Sequence, residues 1–216
     1  MATRFIDEVR MKSLIIDEDV IFGDYDNGNY AYFEADGTLR FFGDATVWKD
    51  INIGGVSLTR QANKQPDLVA INGTNILTYA FDGASSEEEV HGGFEIQHDY
   101  KEGTDLIPHL HLYPTTTGAG NIKFFLDYYI KENGLAPVTG TTSFVIAAGG
   151  TAWEELRSNF DSVIDGSTIT IGAQCSFKLY RDPTDAEDTY GADVAISTFG
   201  VHYEIDTIGS RTTTSK

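Results

Sequence analysis

Apolar and polar residues alternate in short stretches along most of this chain, and glycine-rich turns separate the stretches. Phe177-Lys-Leu-Tyr-Arg181 and Phe199-Gly-Val-His-Tyr-Glu-Ile205 show the period of two that a half-buried strand requires. From about Ile71 such segments form a regular series: 76–81, 89–96, 109–113, 122–131, 141–147, 168–181 and 194–205. Turn signals fall at Gly118-Ala-Gly120, Asn133-Gly134 and Asp165-Gly166. One stretch, Ala152 to Phe160, reads instead as a short helix, with Thr151 as N-cap and Glu154 as its capping-box partner. The spacing predicts an all-β, jelly-roll-like β-sandwich over residues 71–207, with a polar tail over 208–216.

The first fifty residues read differently. Residues 5–16 mix charged and apolar groups without a period. Short β-like runs follow at 20–22, 30–33 and 39–42, divided by Asp26-Asn-Gly28 and Asp36-Gly37. So small a meander buries little surface alone. Residues 1–53 are therefore expected to be an attachment region that packs on another chain or on a neighbouring copy of itself. The polar stretch 54–70, with Gly54-Gly55 and Gln61-Ala-Asn-Lys-Gln-Pro66, reads as a connector. No repeat of 20 to 50 residues is visible.

Composition narrows the function. The net charge is −18, from 33 acidic and 15 basic residues. A nucleic-acid partner and an anionic membrane surface both need a cationic face and are disfavoured. No apolar run reaches the ~18 residues of a membrane-spanning helix. The opening Met1-Ala-Thr-Arg-Phe5 lacks a signal-peptide core, so synthesis in a cytosol without export is expected. The single cysteine, Cys175, excludes an internal disulfide and reads as a buried small hydrophobe.

The sharpest local feature is Gly103-Thr-Asp-Leu-Ile-Pro-His109-Leu-His111. Two histidines two apart on a strand share a face. The spacing matches the opening of the cupin metal motif, but the glutamate that should follow is missing. His202 is a third candidate ligand, with His91 and His98 as further ones. Two ligands fall short of the three or four a site needs, so neither a metal nor a cofactor is expected. The acidic loop 182–193 offers oxygen ligands without EF-hand spacing and reads as a solvated loop. No nucleophile elbow or phosphate-binding glycine loop occurs. Aromatic pairs stand out: Tyr128-Tyr129, Phe124-Phe125, Phe41-Phe42 and Tyr30 with Tyr32 put rings on both faces of their strands. One face must pack in the core, and the other meets water, carbohydrate or another subunit. Tyr30, Tyr32, Phe41, Phe42 and Trp48 are the interface candidates.

The series from Glu89-Val-His-Gly-Gly to Pro108-His-Leu-His-Leu-Tyr-Pro114 resembles a segment of virion structural proteins of tailed bacteriophages. These are of the head-fibre, tail-fibre or decoration type. Residues 42–50, 148–153, 179–193 and 202–205 resemble the same family. The resemblance implies a non-enzymatic virion component, assembled in host cytoplasm. It also implies a homo-oligomer, most simply a trimer, held to capsid or tail proteins through its N-terminal region. Two other readings stand beside it. One is a carbohydrate- or receptor-binding module that contacts host surface glycan. The other is a cupin-like, metal-dependent enzyme using His109, His111 and His202.

Overall fold

The computed structural model describes residues 20–34, 37–132 and 134–213. The reading of residues 5–16, and Asp36 and Asn133 of the two expected turns, lie outside them. The chain divides into two compact units, residues 1–46 and residues 47–216.

Within the described residues, the first unit is a three-stranded antiparallel meander of β1 (Val20–Asp24), β2 (Asn29–Phe33) and β3 (Leu39–Phe42). It carries rings on both faces. Tyr30 stacks on Phe42 at 4.9 Å and 12°, and Tyr25 and Tyr32 close the cluster. Phe22 meets Phe33 edge-on from the neighbouring strand. Phe22 is 58% exposed, and Ile21, Tyr25, Phe33 and Phe42 are exposed as well.

The second unit is a two-sheet sandwich, all-β and jelly-roll-like. One sheet has the order β11-β10-β13-β8-β5, from β5 (Thr59–Arg60), β8 (Glu88–Glu95), β10 (Ala119–Lys131), β11 (Val138–Gly149) and β13 (Gln174–Arg181). The other has the order β12-β9-β14-β7-β6, from β6 (Asp67–Ala70), β7 (Leu77–Phe81), β9 (Ile107–Pro114), β12 (Leu156–Asn159) and β14 (Val194–Ile205). β4 (Val47–Gly54) pairs with β14 along Thr198 to Ile205, while β7 pairs only with its first two residues. Alternation decides what faces inward. Phe199 of β14 meets Phe177 of β13 at 4.4 Å, and Phe81 of β7 meets Phe124 of β10 at 5.1 Å. Cys175 is buried in the same ladder, and burial pushes its thiol up to about 12.

Three expectations are corrected. The boundary near residue 53 falls instead between Thr46 and Val47, because Val47–Gly54 forms an eight-residue ladder on β14. Residues 54–70 are not a bare connector. They hold β5 and β6, and Leu58 is buried where the chain crosses from one sheet to the other. The helix over 152–160 is not formed. Trp153 has φ +61°, its N–H donates to Pro114 O, and Leu156–Asn159 pairs with β9. A left-handed residue stops a helix at its first turn, and the ladder satisfies more backbone groups than a capping box does.

Candidate functional site

The outward face of the five-stranded sheet carries a shallow aromatic and polar depression of about 250 Å³, lined by His91, Asp127, Tyr129, Ser176 and Lys178 among others. The strand period puts Lys123, Phe125, Asp127 and Tyr129 of β10 outward, because Ile122, Phe124, Leu126 and Ile130 take the core side. Register then sets Phe125 opposite Tyr180, Asp127 opposite Lys178 and Tyr129 opposite Ser176. Phe125 and Tyr180 stack at 4.9 Å and 11°. Lys178 Nζ lies 3.9 Å over the Tyr180 ring and 2.9 Å from Asp127 Oδ2. Thr141 Oγ1 donates to Asp127 Oδ1 at 2.6 Å. Although burial pulls the Lys178 ammonium down, the bond to Asp127 holds it above its ordinary range. His91 Nε2 sits 3.1 Å from Gln61 Nε2 and 3.2 Å from Glu89 Oε1. Ser176, and Gly93 opposite it on β8, leave the floor low. Tyr129, 46% exposed, stands over it as the open ring.

The opposite sheet brings together two of the three histidine candidates. His109 of β9 and His202 of β14 stack at 4.1 Å and 12°. Asp50 of β4 joins them, with Oδ1 3.0 Å from His202 Nδ1 and 3.9 Å from His109 Nε2. His109 is 1% exposed, and its Nδ1 has no hydrogen-bond partner among the described residues. Burial, then the neighbouring His202, lowers its pKa to about 4, so the ring is neutral. His111 packs edge-on to His109 at 5.3 Å between ring centroids but lies outside the ligand group and holds Glu155 Oε1 at 2.7 Å. His91 and His98 lie apart from the cluster, since Asp50, His109 and His202 alone form such a group among the described residues. His98 Nδ1 approaches Ser210 Oγ at 2.6 Å, but that hydroxyl donates to Thr212 O, so it is not poised as a nucleophile.

The acidic loop is tied to cations of the protein itself. Lys123 Nζ contacts Asp185 Oδ2 at 3.1 Å and Glu187 Oε2 at 2.8 Å. Arg181, fully buried, holds Asp188 through two bonds and donates to the carbonyls of Phe81, Tyr190 and Ala192. Asp182 accepts from Thr184 at the turn. These carboxylates organise the loop. A second acidic group, Asp67, Asp82, Glu88 and Asp193, lines a depression of about 240 Å³. Burial, with Asp82, Asp67 and Asp193 nearby, pushes Glu88 up to about 7. Its folded pKa lies above its ordinary one, so its contribution to stability is full below about pH 4.5 and is lost as the pH rises through about 7. Glu88→Gln keeps the acceptor for the Asp82 N–H. It is expected to stabilise the fold by about 1 kcal/mol at pH 8, screening by solvent included, and not at pH 4.5. Paired thermal melts read this directly, and an equal shift at both values would contradict it.

Of the interface candidates, Tyr30, Tyr32, Phe41 and Phe42 lie in the first unit, and Trp48, exposed on β4, lies in the second. The sequence reading missed Asp50, Lys178 and Arg181. Only the last had a visible signal: alternation from Phe177 and Leu179 places it on the inward face.

No family model matches this chain, and no curated protein matches it. Among solved structures it is similar to the CBM36-1 domain of a multidomain xylanase from the hindgut metagenome of Trinervitermes trinervoides. That similarity has 14% identity and a TM-score of 0.40, over 71% of this chain and 96% of that one. It is also similar to TmCBM27, a carbohydrate-binding module with specific mannan recognition, at 12% identity and a TM-score of 0.38, over 73% and 98%. A third is a chain of infectious bursal disease virus Gx strain, at 13% identity and a TM-score of 0.38, over 79% of this chain and 34% of that one.

Proposed function

We propose that this chain is a non-enzymatic binding protein whose sandwich recognises carbohydrate on the outward face of its five-stranded sheet. The observation that carries this reading is the open Tyr129 ring beside the paired Asp127 and Lys178 and the small Ser176. A sugar ring has apolar C–H faces and a hydroxyl rim. An aromatic face takes the first, and a carboxylate, an ammonium and an imidazole bond the second. A shallow open groove suits a chain of sugars lying across the strands better than an engulfed small molecule. The net charge of −18 favours a neutral glycan over a polyanionic one. Binding of the full chain to an array of neutral and anionic oligosaccharides tests this. Neutral glycans are expected to bind, and Tyr129→Ala to weaken binding at least tenfold, as loss of a central aromatic contact does. Binding that survives Tyr129→Ala unchanged would remove the site.

The first unit favours a second element of the reading, attachment. Its exposed rings and small size fit a surface that packs on copies of itself or on a larger particle. A virion component with a trimeric anchor, as the phage resemblance implies, is the form such an attachment would take.

A further inference from the structure

The outward face of the six-stranded sheet holds a different chemistry. β9, β14 and β4 lie side by side, so His109 and Asp50 stand on strands separated by one other, roughly 10 Å apart at the backbone. Their side chains meet only because the position between them is Gly200, which pairs with His109 on one side and Asn52 on the other. A Cβ at Gly200 would lie 2.5 Å from His109 Nε2, so any other residue there would displace the ring. Glycine in a strand interior weakens the strand and marks a close approach. Here the approach is that of an imidazole reaching over β14 toward a carboxylate.

We infer that Asp50, His109 and His202 form a binding site for a first-row divalent transition-metal ion. Their ligand atoms lie within 4.8 Å of one another. The 3.0 and 3.9 Å separations bracket the roughly 3.4 Å between ligands held about 2.1 Å from a tetrahedral ion. Two imidazoles and one carboxylate select zinc, cobalt, nickel or copper over calcium or magnesium, which take oxygen ligands. His109, buried and fixed over Gly200 with its Nε2 toward Asp50, supplies the immobile ligand. His202 and Asp50 stand at the rim, and the two stacked ring planes lie 12° apart, so binding one ion requires His202 to rotate out of the stack. Three protein ligands leave a position for water or for a group from another molecule. The three strands are paired through their backbones, so the ion is not needed for folding.

Equilibrium dialysis of the full chain against Zn²⁺, and titration with Co²⁺ followed by its visible absorption, test the inference. One ion per chain is expected, with the intense visible bands of four-coordinate Co²⁺. His202→Ala and Asp50→Asn, both at the rim and neither in the core, should each weaken binding by about 10- to 100-fold or more, at least what losing a supporting ligand contact costs. His111→Ala, which touches His109 only edge-on and whose own nitrogen is bonded to Glu155, should weaken it far less than either rim variant. Less than stoichiometric uptake, binding unmoved in both rim variants, or equal losses in His111→Ala would overturn the site.

Discussion

Arg181→Met is expected to destabilise the second unit by about 3–5 kcal/mol, the usual cost of breaking a buried ion pair from one side. Arg181 occupies an inward position on β13, following Phe177 and Leu179, with no solvent access to its guanidinium. Asp188 and three carbonyls take its donors, so its loss strands a buried carboxylate and frees the loop from 182 to 193. Asp188 also accepts the Lys123 backbone N–H at 3.0 Å, which couples the loop to β10. Replacing both partners, as Arg181→Met with Asp188→Asn, is expected to cost less than the two single changes together. A coupling of about 2 kcal/mol from denaturant melts would show this. Additive costs would mean that the two residues act independently.

Truncation should separate the two units at one position and unfold the chain at another. A fragment starting at Val47 keeps every strand of the second unit and is expected to fold and stay soluble. If the first unit carries the proposed self-association, this fragment should also run as a monomer in light scattering where the full chain does not. A fragment starting at Gly55 lacks β4 and leaves β14 with an open edge from Thr198 to Ile205. The lost ladder, at about 1 kcal/mol per hydrogen bond, is worth on the order of 5 kcal/mol, which rivals the whole stability of a domain. Unpaired edges of this kind aggregate. A well-folded Gly55 fragment would show that β4 is dispensable. A Val47 fragment that self-associates as the full chain does would move the proposed assembly surface onto the sandwich.

The strands that alternate cleanly were legible from the residues, down to both ends of Val194–Ile205. What escaped was decided by pairing between distant strands. Val47–Gly54 alternates only weakly and is mostly exposed, so nothing local distinguishes it from a lead-in until β14 lies beside it. Thr151 and Glu154 form a sound local helix start, and the pairing of β12 with β9 overrode it. Asp50 is one of 33 acidic residues, and only register places it beside His202. For the proposed glycan face, the aromatic pairs were visible in the sequence. The choice of Phe125 and Tyr129 as the outward members followed from which neighbours the core took.

Hydrogen exchange of the full chain, with and without a soluble neutral polysaccharide such as hydroxyethylcellulose or galactomannan, tests the central claim most directly. Recognition at the five-stranded sheet predicts slowed exchange over 127–131 and 174–180 on adding polysaccharide, and no such protection in Tyr129→Ala. Protection confined to the first unit or to the strands around His109, with 127–131 unchanged, would contradict it.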